Sequence, residues 1–248
     1  MISVLLPVHR LDPHLGQAIN SVLAQTFGEF ELLIIANGPH REKLLIELKT
    51  RFCDPRIRWL CSPVPQLAHA LNLGLSEARY DWVARMDGDD VCYPERLALQ
   101  LQYATRHPEI DVLGCEVTLI DETNREIGVW PRPQADAEIK ALLGWKNPMC
   151  HPSVLMKKST VLAVGGYNAG FQSEDFDLWL RLARRDAVFH NLPSRLLKYR
   201  RHSNSAQGTK LGFAEAAGHL LREFLLTGKP RYFFGALGFV ARVFVKGR

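Results

Sequence analysis

The chain has 248 residues, 47% of them hydrophobic and 23% charged, with a formal net charge of +5; this balance describes a soluble globular chain long enough to bury a sizeable core. From Lys210 onward seven Lys and Arg stand against two Glu, so residues 1–209 carry no net charge, and a nucleic-acid protein, whose positive stripe lies on the folded body, is excluded. The five cysteines never form a C-x-x-C pair, and the opening MISVLLPVHR has neither a basic leader nor the length of a span, so neither a disulfide framework nor a zinc knuckle is suggested, and a cytoplasmic chain without a cleaved signal peptide is expected.

ISVLLPV (2–8) is a β-branched apolar run that predicts a strand, and residues 14–27 repeat apolar side chains at helical spacing. The same alternation returns as ELLIIAN (31–37) with 41–52, as IRWLCS (57–62) with 66–78, and as DWVARM (81–86) with 94–107, where Pro94 suits a first helical turn. Four strand–helix units in succession predict an α/β fold with a mostly parallel, Rossmann-like sheet covered by helices on both faces. A strand at 110–120, a helix at 135–144, a strand at 153–157 and a helix at 174–185 follow, and residues 210–248 form a basic, amphipathic helical tail after the body of 1–209. In such sheets ligands bind beyond the carboxyl ends of the strands.

That rule gives weight to ARMDGDD, where Asp87, Asp89 and Asp90 directly follow the fourth strand. Carboxylates this close repel unless a cation or a ring of donors offsets them. The dinucleotide G-x-G-x-x-G, the P-loop, H-E-x-x-H and G-x-S-x-G are all absent, and a calcium loop would need glycine where Cys92 stands. Asp87 and Asp89, two apart on a turn, can share one Mg²⁺ or Mn²⁺ that also takes phosphate oxygens from a substrate. Taken alone, DGDD reads equally well as a solvated acidic turn.

The blocks SVLLPVHR, AINSVLAQTFGEFELLIIANG, LNLGLSEARYDWVARMDGDDVCYPERLALQ, HPSVLMKKSTVLAVGGY, EDFDLWLRLA and LLKYRRHSNS, in this order from Ile2 to about His202, resemble the family 2 glycosyltransferases of GT-A fold. The resemblance implies an inverting, metal-dependent transfer from a nucleotide-sugar donor. It matches Asp87 and Asp89 to the motif that binds the divalent ion and the donor diphosphate, with Gly88 between them, and Pro7, Val8 and His9 to the loop lining base and ribose. Arg79 and Arg85 match positions of donor-site arginines, although an arginine fixed by the acidic loop is an equal reading of Arg85. Asp175 of EDFDLW matches the general base, with Glu174 and Asp177 beside it; helix capping is the alternative reading of these acids. His202 matches a position near the metal, or is a surface histidine in a basic loop. His151 opens a strand near the acceptor side, where packing or a backbone hydrogen bond suits it. Asn37 stands where many relatives carry an Asp against the base; an amide both donates and accepts, so base choice is affected more than activity.

The tail KPRYFFGALGFVARVFVKGR holds five basic and no acidic residues around an apolar run too short to span a bilayer. Such a helix either lies on an anionic membrane surface, as a lipid-linked acceptor would favour, or packs its apolar face on the body. The expected protein is an inverting glycosyltransferase using Mg²⁺ or Mn²⁺ to move a sugar onto a glycan or lipid-linked acceptor in cell-surface polysaccharide synthesis. The alternative is a catalytically silent sugar-nucleotide binder or membrane scaffold.

Overall fold

The computed structural model describes residues 1–168, 170–202 and 208–245. Strands β1 (Ile2–Val8), β2 (Phe30–Asn37), β3 (Ile57–Ser62) and β4 (Trp82–Arg85) alternate with helices α1 (Leu15–Leu23), α2 (Arg41–Arg51) and α3 (Leu67–Glu77). The strands pair in parallel in the order β3-β2-β1-β4. Side chains alternate across these strands, and both faces are apolar because both are covered. Leu5, Leu33 and Ile35 meet α3 on one face, while Val4, Leu6, Leu32 and Ile34 meet α1 and α2 on the other. Gly74 of α3 matters here: a Cβ would lie 2.9 Å from Ile35 Cδ1, so the helix sits closer to the sheet than alanine would permit.

Past β4 the sheet changes character. After β5 (Val91–Cys92) and α4 (Arg96–Arg106) come β6 (Val112–Ile120), β7 (Glu126–Trp130), α5 (Asp136–Leu142), β8 (Leu155–Lys157), α6 (Lys158–Ala163), α7 (Glu174–Arg184) and β9 (Phe189–Arg200). Among the described residues the order continues β4-β8-β6-β9-β5, with β7 on β6. Here only β6 and β9 run parallel; β8 is antiparallel to β4 and β6, β7 to β6, and β5 to β9. The parallel character is thus confined to the first four strands and one later pair. α4 begins at Arg96 with Glu95 at its N-cap, so Pro94 lies ahead of the helix rather than in its first turn.

The tail forms a helical hairpin, α8 (Lys210–Thr227) and α9 (Pro230–Val245). The Thr209 hydroxyl accepts from the Gly212 N–H at the start of α8, and Gly228, at φ 68°, ends it, after which Pro230 opens α9. Ala216, Ala217, Leu220, Tyr232, Ala236 and Phe239 join the same apolar cluster as α3 and α7. Gly235 is the closest approach: a Cβ there would stand 1.7 Å from the Gly144 carbonyl oxygen. Polar contacts add to this packing, since buried Asp177 of α7 accepts from Arg181 at 2.8 Å and from Arg222 of α8 at 2.5 Å.

Candidate active site

An open cleft of about 910 Å³ lies at the carboxyl ends of β1, β2 and β4, closed opposite by the segments after β7 and α5, the start of α7, and the α8–α9 hairpin. Pro7, Val8, His9, Asn37, Arg85, Asp87, Gly88, Asp89, Asp175 and His202 all line it. Arg79 does not: it precedes β4 at the amino end of the strands, 65% exposed, and its backbone N–H donates to Glu31 at 2.7 Å. The sequence places it six residues before Arg85, and a strand then carries the two to opposite ends of the sheet.

The acidic loop is heavily constrained. Arg85, buried at the end of β4, forms an ion pair with Asp87, and that carboxylate holds the guanidinium's pKa up against its burial. Asp89 Oδ2 lies 3.2 Å from His202 Nε2. Asp90 Oδ1 accepts from the Arg200 N–H at 2.8 Å, while its Oδ2 is buried without a hydrogen-bond partner. Arg200 then fixes the loop: its Nε donates to the Asp89 carbonyl at 2.7 Å, and its other donors reach Asp121, Asn124 and Gln17. Arg96 reaches from α4 to the Arg85 carbonyl at 2.9 Å. Neither Arg96 nor Arg200 was singled out from the sequence, although the YRRH block carries Arg200 beside His202.

Oxygens of Asp87, Asp89 and Asp90 lie within 4.8 Å of one another. Burial, then repulsion from Asp87, raises the carboxyl of Asp89; the same causes, with Asp89 added, push Asp90 well above the usual carboxylate range. Three crowded carboxylates, one oxygen of Asp90 without a partner, and an imidazole at their edge make a donor set that fits a hard divalent cation. Asn37, at the end of β2, lines the cleft and donates to the Val64 carbonyl at 3.4 Å. His9 is exposed, and burial of its ring, then Arg10, lowers its pKa.

Across the cleft, Asp175 occupies the first turn of α7, one Oδ accepting from the Phe176 N–H at 2.7 Å and the other from Asn147 Nδ2 at 2.6 Å. Asn147 Oδ1 in turn accepts from the Met149 N–H at 3.1 Å, so the amide is anchored and orients the carboxylate. Burial raises the pKa of Asp175, opposed first by Asn147. Glu174 is raised to about 7 by burial and then by Asp175. Asp177 does not take part: it turns to α8, and its arginine partners lower it. His151 is buried in a short 3₁₀ turn, its Nε2 2.8 Å from the Tyr167 hydroxyl and its Nδ1 3.8 Å from Glu174. It packs as expected, but its partners are side chains rather than backbone. Asn147 was missed in the sequence because nothing local in NPMCHPS marks a partner 28 residues away.

The chain matches the model of "Glycosyl transferase family 2" over residues 3–165. It is 36% identical to the O-antigen biosynthesis glycosyltransferase WbnJ of Escherichia coli, over 99% of this chain and 97% of that one. It is 30% identical to the amylovoran biosynthesis glycosyltransferase AmsE of Erwinia amylovora, over 99% and 94%. A UDP-Gal:alpha-D-GlcNAc-diphosphoundecaprenol beta-1,3-galactosyltransferase of E. coli is 25% identical over 98% and 90%. The chain therefore belongs to glycosyl transferase family 2 and is a glycosyltransferase. Its fold is shared with S. aureus TarS 1-349 in complex with UDP-GlcNAc, at a TM-score of 0.67 and 14% identity over 98% of this chain and 81% of that one. It is also shared with the mannosyltransferase PcManGT of Pyrobaculum calidifontis in complex with GDP-Man and Mn2+, at 0.66 and 13% over 97% and 69%. The longer TarS chain is spanned over 39% of its length.

Proposed function

We propose that this glycosyltransferase moves a sugar, with inversion, from a nucleoside-diphosphate donor to a hydroxyl of a saccharide carried on a lipid diphosphate. The observation that carries the reading is the shared cleft: the Asp87–Asp89–His202 group and the Asn147-oriented carboxylate of Asp175 line the same space. Asp87 and Asp89, with His202 at their edge, would hold Mg²⁺ or Mn²⁺, which when bound offsets negative charge on a departing nucleoside diphosphate. Pro7, Val8, His9 and Asn37 receive the nucleoside, and Arg85 holds Asp87 in place. Asp175 takes the proton of the acceptor hydroxyl as it attacks the anomeric carbon; its raised pKa makes the carboxylate a better base than an exposed aspartate. One displacement from the face opposite the leaving group inverts the anomeric centre.

The acceptor part draws on the diphosphoundecaprenol substrate in a relative's name and on the hairpin. No helix among the described residues is long and apolar enough to cross a membrane. Yet Leu225, Phe234, Leu237 and Phe244 are 75%, 56%, 51% and 84% exposed, with Lys229 and Arg231 near the turn. This supports peripheral contact with an anionic membrane, while the opposite side of the same helices packs on the body. Incubation with UDP- and GDP-sugars and Mn²⁺ in the presence of a lipid-diphosphate saccharide tests the reading. Release of nucleoside diphosphate with an inverted glycoside, seen by NMR, is expected; a retained anomer or binding without turnover refutes it.

A further inference from the structure

Arg132 stands between Pro131 and Pro133, directly after Trp130 at the end of β7. The two prolines stiffen the segment. The guanidinium carbon lies 3.3 Å from the centroid of the Trp130 ring, a stacking that fixes the plane of the group. The residue is 7% exposed and lines the cleft. Its Nε and one terminal nitrogen are buried without a hydrogen-bond partner, and among the described residues no carboxylate stands within ion-pair distance.

Among the arginines of the cleft, Arg85 offers the direct contrast. Arg85 is as buried, and its Nε likewise lacks a hydrogen-bond partner, but its charge is answered by Asp87; what sets Arg132 apart is that no carboxylate pairs with it. Burial lowers the pKa of Arg132, opposed by Cys150, which also makes a hydrogen bond with it and whose thiol burial pushes up to about 12, and by Tyr199, whose hydroxyl is likewise raised; both are neutral at pH 7. Asp175, across the same space, opposes burial next after these. A buried cation with unmade hydrogen bonds is unfavourable unless an anion completes it. Lys146 and Arg242, the latter donating to the Trp145 carbonyl at 3.1 Å, line the same side of the cleft.

We infer that Arg132 binds an acidic oxygen of the acceptor, a phosphate or a carboxylate borne by the saccharide whose hydroxyl meets Asp175. This rests on the reading of Asp175 as the acceptor-side base. Guanidinium and acidic oxygen would pair through two N–H donors held in one plane, and the stack on Trp130 supplies that plane in advance. Neutral acceptors of the same ring shape lack the group that completes Arg132.

The test uses the full chain with UDP and Mn²⁺ bound, so that the donor side is filled. Glucose 1-phosphate, glucuronate and methyl glucoside are titrated against wild type, Arg132→Gln and Arg132→Lys, with binding read by calorimetry. At least one of the two anions is expected to bind wild type more tightly than methyl glucoside, by about ten- to a hundredfold; which one does so separates a phosphate from a carboxylate acceptor. Arg132→Gln should erase that preference and Arg132→Lys should keep part of it, with UDP affinity unchanged in both. Because an unanswered buried charge is removed, Arg132→Gln without ligands should melt no lower than wild type, where a purely structural arginine would give a lower melting temperature. No preference for either anion in wild type, or a preference that survives Arg132→Gln, overturns the inference. So does a matching loss of UDP affinity, which would assign Arg132 to the donor diphosphate. Asp175→Asn separates the two readings: it should leave the anion preference in place, and if that variant instead turns over normally, the base assignment fails while the anion preference stands by itself.

Discussion

The two walls of the cleft are built in opposite ways. On the donor side each charged group faces a partner, nearby or from the strand end at 200–202: Arg85 faces Asp87, Asp89 faces His202, and one oxygen of Asp90 takes the backbone N–H of Arg200 while the other stays unpartnered. On the acceptor side the groups come from distant segments, and no carboxylate pairs with Arg132, two of whose nitrogens lack hydrogen-bond partners, while Glu174 holds an elevated pKa. In the proposed reading the donor wall is preorganised for a diphosphate and its cation, a ligand of fixed chemistry. The acceptor wall keeps unsatisfied groups that a particular substrate completes, and specificity arises where unmade interactions discriminate most strongly.

The largest test of this contrast is Asp175→Asn. It preserves size and one amide contact but removes the base, so transfer should fall by roughly 10²–10⁴-fold while nucleotide affinity stays unchanged; steady-state rates and donor titration separate the two. On the opposite wall, Asp89→Ala should abolish Mn²⁺-dependent donor binding, a loss exceeding the roughly 10–100-fold typical of an outer-shell partner. If calorimetry finds donor affinity still responding to Mn²⁺ in that variant, the cation is held elsewhere. Asp177→Ala touches neither wall directly: it removes the buried carboxylate that joins Arg181 of α7 to Arg222 of α8 and leaves Arg181 without its ion-pair partner, and urea unfolding should register a loss of about 3 kcal/mol. An undiminished midpoint would mean that the hairpin is held by its apolar packing and its other polar contacts, such as Arg184 with Glu223, without help from Asp177.

Glu174 gives a pH signature. Its carboxyl is raised to about 7 in the folded chain, against an ordinary value of 4.5, so the folded state keeps the proton to higher pH than the unfolded one. The stability tied to that proton is complete below 4.5 and is lost as pH rises to about 7, at most ~3 kcal/mol. Glu174→Gln should flatten this slope in melts taken from pH 5 to 8. The smallest effect belongs to the hairpin surface: Leu225→Ser with Phe244→Ser should reduce co-sedimentation with anionic vesicles severalfold and leave transfer to a water-soluble acceptor intact. Equal sedimentation of both chains would remove the membrane from the proposal.

Legibility in the sequence follows the same division. The four strand–helix units are local patterns, each with its own apolar period, and they carry Asp87 and Asp89 to a predictable strand end. β9 was not foreseen because Pro193 interrupts its apolar run, and the structure accommodates that break where the register with β6 shifts. β5 has two residues and β7 is exposed along nearly its whole length, so neither offers a core period to read. Asp175 came from a resemblance, since its local pattern reads equally as the start of a helix. Asn147, Arg132 and Arg200 act through partners tens of residues away, which no spacing rule reaches. Arg79 was misplaced for the converse reason, because proximity in sequence to Arg85 spans a strand and ends on the far edge.

One helix ties the walls to the surroundings. Phe239 of α9 faces the crevice, while Phe244, five positions on, points outward. At 1.5 Å of rise per residue that is roughly 7.5 Å, less than a turn and a half. In the proposed orientation, a glycan tethered to lipid would therefore find its anchoring plane and its reaction centre on a single rod. The backbone contact between Gly235 and Gly144 keeps that rod from sliding, so the depth at which the protein rides in the headgroups would set how far an acceptor must extend to react.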